Sequence, residues 1–169
     1  MSNETRQSLV SEVSRAMREH YEFTDELDNA GATALGVNRT GLRLLSILER
    51  GGSMTMGALT AVAGLRKSAM TAAIDRLVEA GFILREVNSS DRRSLMVALT
   101  ESARKRIEMV YGPLQMETRE FLEEFTDSEL ELLRRFLSVA NTAQKSHTAL
   151  IRNATRSGRP KERIEVNSK

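Results

Sequence analysis

The chain has no cysteine, no tryptophan, two prolines and only 4% aromatic residues among its 169. Without cysteine there is no disulfide framework, no thiolate zinc site and no thiol redox switch. With so few rings, the core has to be built from Leu, Val, Ile, Ala and Met. The only histidines are His20 and His147, and no paired metal-ligand spacing accompanies them. Phosphate loops, Gly-x-Ser-x-Gly and His-Glu-x-x-His are missing as well, so nothing points to an enzyme, and no cofactor or metal is expected. No apolar run approaches the ~20 residues of a membrane helix. Met1 to Arg18 is too polar for a signal peptide, with only scattered Leu9, Val10 and Val13. These absences lead to the expectation of a soluble, cytoplasmic protein. A large excess of one charge is also lacking: 25 Lys and Arg stand against 23 Asp and Glu, a net +2. Any case for nucleic acid therefore rests on where the basic groups lie.

What is present is helical periodicity interrupted once. From about Glu4 to Leu27, Leu9, Val13, Met17, Tyr21 and Leu27 form one apolar stripe on a charged rod. Asn29-Ala30-Gly31-Ala32 is expected to end that helix, with Gly31 as its left-handed cap. Asn38 suits the N-cap of a second helix carrying Leu42, Leu45 and Leu48, which Arg50-Gly51-Gly52 stops. After a strand pair, Thr100 opens a long helix with Ile107, Val110, Leu114, Phe121, Leu122 and Phe125 on its apolar side. Gly112-Pro113 is expected to kink it. Thr126-Asp127-Ser128-Glu129 is a capping box for a last helix that carries Leu130, Leu133, Phe136, Leu137 and Ala140 to about Ile151.

The interruption, Ser53 to Thr100, organises the chain. Thr55 caps a short third helix expected to bury Leu59 and Val62, and Gly64 supplies the positive φ of a tight turn. A fourth helix follows with Met70, Ile74, Leu77 and Val78 inward, closed by Gly81. Ser68, Thr71, Ala72 and Asp75 are left outward. Phe82–Val87 and Ser94–Leu99 predict two strands, with Leu95, Val97 and Leu99 on one face, joined through Asn88-Ser89-Ser90-Asp91-Arg92-Arg93. A helix-turn-helix with an arginine-tipped hairpin predicts one helix in a DNA major groove and a basic finger beside it. Small outward side chains let the helix backbone come close to base edges. Ser68 and Thr71 offer hydroxyls, and the Thr71 and Ala72 methyls suit a thymine methyl. Arg66 and Lys67 stand at the helix N-terminus, where the macrodipole favours a phosphate, and Arg76 reaches for another. Asp91 is placed to orient Arg93 for the minor groove. The alternative, a winged helix used for protein contacts without DNA, calls for an apolar outward face; Lys67, Ser68 and Thr71 make it polar.

The order Asn38…Leu42-Arg43-Leu44-Leu45, Thr55-Met56-Gly57-Ala58-Leu59, Gly64-Leu65, Ile74-Asp75-Arg76-Leu77 through Gly81-Phe82-Ile83, and Asp91-Arg92-Arg93 through Leu99-Thr100 resembles the MarR family of bacterial winged-helix regulators. The matching core runs from about Asn38 to Ile107. Arg66 departs from the family's usual Asp, Ser or Thr cap, and Ala72 stands where a bulky polar or basic base reader is common. The resemblance implies a homodimer on a pseudo-palindromic double-stranded operator, commonly a repressor released by a small aromatic or phenolic effector. It implies a wing with Arg93 in the minor groove and Arg92 on phosphate, and an effector pocket near His20 and Tyr111. The expected fold is mainly α with a small β-hairpin wing. Its divisions are an N-terminal dimerisation helix (1–37), a winged helix-turn-helix (38–100), C-terminal dimerisation helices (101–152) and a flexible basic tail (153–169).

Overall fold

In the computed structural model, residues 3–87 and 95–156 are described. The order is α1 (Asn3–Leu35), α2 (Arg39–Gly51), β1 (Met54–Thr55), α3 (Met56–Ala63), α4 (Lys67–Glu79), β2 (Ile83–Val87), β3 (Leu95–Leu99), α5 (Glu101–Glu123) and α6 (Asp127–Arg156). The chain divides into two compact units, one up to Gln115 and one from Met116 onward.

The first unit holds the core. Leu44, Leu45 and Leu48 of α2, Leu59 of α3, Met70 and Ile74 of α4, Phe82, and Val97 of β3 are completely enclosed. Local signals set the element ends. Asn38 Oδ1 accepts from Gly41 N at 2.8 Å, and Thr55 Oγ1 accepts from Ala58 N at 3.1 Å. Gly64, at φ 63°, makes the turn between α3 and α4. After α4, Gly81 N donates to Val78 O and Phe82 N to Leu77 O, the paired bonds of a Schellman cap. Thr100 Oγ1 accepts from Ala103 N at 3.0 Å and donates to Gly81 O at 2.8 Å, so one hydroxyl starts α5 and fastens it to the end of α4.

Several expectations need correction. Helix α1 runs through Gly31 to Leu35, and the left-handed cap is Gly36 at φ 69°. Gly31 is a place of close approach: a Cβ built on it would lie 1.9 Å from Tyr111 Oη. Val62 is 59% exposed, and Leu59 and Ala63, one turn apart, are the inward pair of α3. Leu95 is 48% exposed although Val97 and Leu99 are buried, because it pairs with Val87 at the end of the hairpin beyond the core. The sheet has three strands in the order β1-β3-β2, all antiparallel. Two-residue β1, pairing Met54 with Val97, is too short for alternation to reveal. Helix α5 ends at Glu123, so Phe125 lies beyond it, while Pro113, which has no N–H to offer the preceding turn, lies inside the helix as expected.

In the second unit, Glu129 N donates to Thr126 Oγ1 at 3.4 Å and Thr126 N to Glu129 Oε2 at 2.9 Å, the reciprocal capping box. The Thr126 hydroxyl, which donates to Glu129 Oε2 at 2.7 Å, and then the Thr126 N–H hold the Glu129 carboxyl below its ordinary range. Helix α6 ends at Arg156, so residues 153–156 of the expected tail are helical, and the remainder of it lies outside the described residues. None of the described side chains of α6 is buried, and Leu132, Leu137, Val139, Leu150 and Ile151 are each at least half exposed.

Candidate nucleic-acid interface

Helix α4 sorts its residues by side. Met70, Ala73, Ile74 and Leu77 are buried, whereas Arg66, Lys67, Ser68, Thr71, Ala72, Asp75 and Arg76 are exposed. Ser68, Thr71, Ala72 and Asp75 recur at i, i+3, i+4 and i+7 and so share one face. Arg66 occupies the N-cap position in extended geometry and makes no side-chain cap bond. The first N–H groups of α4 therefore lack that partner and, with the Arg66 and Lys67 charges beside them, form a place for an anion. Thr71 Oγ1 donates to Lys67 O at 3.1 Å, which leaves its lone pairs and methyl outward. Thr55 is half-buried, with its oxygen engaged in the α3 cap. Asp91, Arg92 and Arg93 lie outside the described residues, between the paired ends Val87 and Leu95.

Two features of this unit give no local signal in the sequence. Asp75 is ion-paired with Arg85 of β2, which ties the exposed face of α4 to the first wing strand. The partners are ten residues apart across a helix-to-strand turn, beyond the reach of any periodicity rule. Arg106 of α5 places its guanidinium 4.0 Å from the centre of the Phe82 ring and donates to Leu35 O at 2.9 Å. It thus joins the end of α1, the start of the hairpin and α5.

On the other side of α2 is a cavity of about 620 Å³, with Asp28, Arg39, Arg43, Glu49, Arg50 and Tyr111 among its lining. Arg39 is held by Asp25 Oδ1 at 2.6 Å and Asn29 Oδ1 at 2.7 Å, and its guanidinium keeps the Asp25 carboxyl below its usual range. The Tyr111 hydroxyl is buried, and no hydrogen-bond partner reaches it among the described residues. Burial first, then the Asp28 and Glu49 carboxylates, push its pKa above the ordinary tyrosine value. His20 is exposed elsewhere on α1 and does not line this cavity, so the structure does not bring His20 and Tyr111 together. The cavity is built instead by α2 residues, whose exposed arginines are indistinguishable in sequence from a solvated face.

Residues 37–95 match the family model described as MarR family. The HTH-type transcriptional regulator YcgE of Bacillus subtilis is 37% identical over 111 residues, covering 66% of this chain and 72% of that protein. YwhA, a regulator of the same type from the same organism, is 31% identical over 117 residues, covering 69% and 84%. Among solved structures, RV1404 from Mycobacterium tuberculosis superposes with a TM-score of 0.60 at 25% identity, covering 79% of this chain and 93% of that one. A mutant MarR from E. coli, complexed with operator DNA, has the same fold, with a TM-score of 0.52, 23% identity, and coverage of 78% and 94%. Helix-turn-helix, wing strands, flanking helices and relatives agree, and the chain belongs to the MarR family of DNA-binding, winged helix-turn-helix transcriptional regulators.

Proposed function

We propose that this regulator is a cytoplasmic homodimeric repressor that reads a pseudo-palindromic operator through α4 and the wing. The observation that carries the reading is the exposed face of α4: short, polar and flanked by Arg66, Lys67 and Arg76. Ser68, Thr71 and Ala72 meet base edges, Arg66, Lys67 and Arg76 take phosphates, and the Thr55 hydroxyl proton serves a further phosphate. In the wing, Arg93 enters the minor groove oriented by Asp91, and Arg92 stays on the backbone. A mutant MarR of the same fold is complexed with operator DNA, which supports the DNA-binding reading. Selection of bound duplexes from a random pool tests it: the expected product has two half-sites one helical turn apart, ~10 bp centre to centre. An enriched pool with a single half-site, or none, overturns it.

Pairing rests on apolar surface that a single copy leaves open. On α1, Leu9, Val10, Val13, Tyr21 and Phe23 are exposed, as are Leu132, Phe136, Leu137, Val139, Leu150 and Ile151 of α6. Among the described residues nothing covers these side chains, and a second copy brings matching stripes to bury them.

The cavity beside α2 is the effector site in this reading. Arginine side chains, a buried phenol with no hydrogen-bond partner among the described residues, and apolar lining from Leu42, Leu45 and Ile107 suit a small aromatic molecule bearing an acidic or phenolic group. Tyr111 serves that ligand, and His20 has no place in it. Titration with phenolic acids while DNA release is followed is expected to show release that Tyr111→Phe weakens.

A further inference from the structure

Asp75 is out of place on a surface that approaches DNA. It shares the face of Ser68, Thr71 and Ala72, its side chain is 54% exposed, and duplex DNA carries a negative charge every ~1.7 Å of its axis. A bare carboxylate there opposes docking by like-charge repulsion. Among the described residues the side chain bonded to it is Arg85, which stands in the middle of β2 opposite Val97. Val97 and the start of β2 at Ile83 are buried, so the strand that carries Arg85 is fixed to the core. We infer that Arg85 is a counter-charge to Asp75: it acts through that carboxylate, cancelling it at the base-facing surface of α4, rather than by touching DNA itself. This inference rests on the DNA-binding reading above.

The two possible roles of Arg85 separate experimentally. Affinity is measured by fluorescence anisotropy over a range of salt, on a duplex selected from a random pool by the unmodified dimer. Arg85→Gln is expected to bind about tenfold more weakly, with an unchanged slope of log K against log salt, because no phosphate contact is lost. Arg85→Gln combined with Asp75→Asn is expected to return to within about threefold of the parent, and Asp75→Asn alone to bind at least as tightly as the parent. If the double variant stays as weak as Arg85→Gln and the slope falls by about 0.9, Arg85 contacts a phosphate and the inference is wrong. Undiminished binding by Arg85→Gln overturns it too, as does a clear loss in Asp75→Asn, the variant that still decides the matter if Arg85→Gln fails to fold. Failure of the unmodified protein to enrich any duplex strikes the DNA-binding reading instead of this pair.

Discussion

The outward side chains of α4 are short, and shortness has a chemical use at a base edge. A serine or threonine hydroxyl reaches only what lies against the backbone, so these residues read bases only if the helix seats deeply. Specific energy then has to come from longer groups at the margins, of which Arg93 is the foremost in the proposed wing. Arg93→Ala is expected to weaken operator binding by ~1–3 kcal/mol, measured by anisotropy, while the thermal midpoint of the dimer stays put. A second residue-scale effect concerns Tyr111. Its raised pKa keeps the phenol protonated, and available as a donor, throughout the neutral range. As pH climbs past the ordinary tyrosine range, the unfolded chain ionises first, so this residue's share of stability is lost as pH rises through the folded-state value. In a Tyr21→Phe background, phenolate absorbance is expected to appear at higher pH than for free tyrosine. Coincidence of the two curves counts against the buried phenol.

Helix ends show which parts of a fold a sequence can announce. Asn38, Thr55, Gly64, Gly81, Thr100 and the Thr126–Glu129 box act on partners within a turn, and each stands where local chemistry places it. Gly31 has the same local look as a cap, yet its role is set by Tyr111, eighty positions along, which needs the space its missing side chain leaves. The Asp75–Arg85 pair and the two-residue β1 were hidden for the same reason, being defined by other segments. Of the site, the outward face of α4 could be read from the inward stripe alone, whereas the choice of His20 could not be guided by which element faces the cavity. The Gly31 contact is open to direct trial. Gly31→Ala is expected to cost ~1–3 kcal/mol in a denaturant melt, as an overpacked site does. In combination with Tyr111→Ala the two losses are expected to be less than additive, since the large ring is then gone.

For the whole molecule, the distribution of apolar surface matters more than its amount. The winged core encloses Leu44, Leu45, Leu48 and Leu59 completely, while α1 and α6 carry rows of exposed apolar side chains. In the proposed dimer, a second copy covers these rows and supplies burial that the single chain lacks. Sedimentation at micromolar concentration is expected to show a dimer. Leu137→Asp, which puts a charge on the apolar face of α6, is expected to shift the protein to monomer and to abolish cooperative binding of paired half-sites. A monomer in the unmodified protein refutes the pairing. Among the described residues, no helix is long and apolar enough to cross a membrane, so these exposed rows are not those of a spanning segment.

The Schellman cap at Gly81 leaves no slack between reader and wing. Phe82 N bonds back to Leu77 O, and the very next residue, Ile83, already pairs with Leu99. One added residue after Phe82 would invert the strand, sending Ile83 to solvent and Arg85 away from Asp75. Such an insertion is expected to lower the melting temperature and eliminate operator binding together. The two prongs of the reader are thus gauged to each other like the jaws of a caliper with a single pivot, and the length of that pivot is written in two residues.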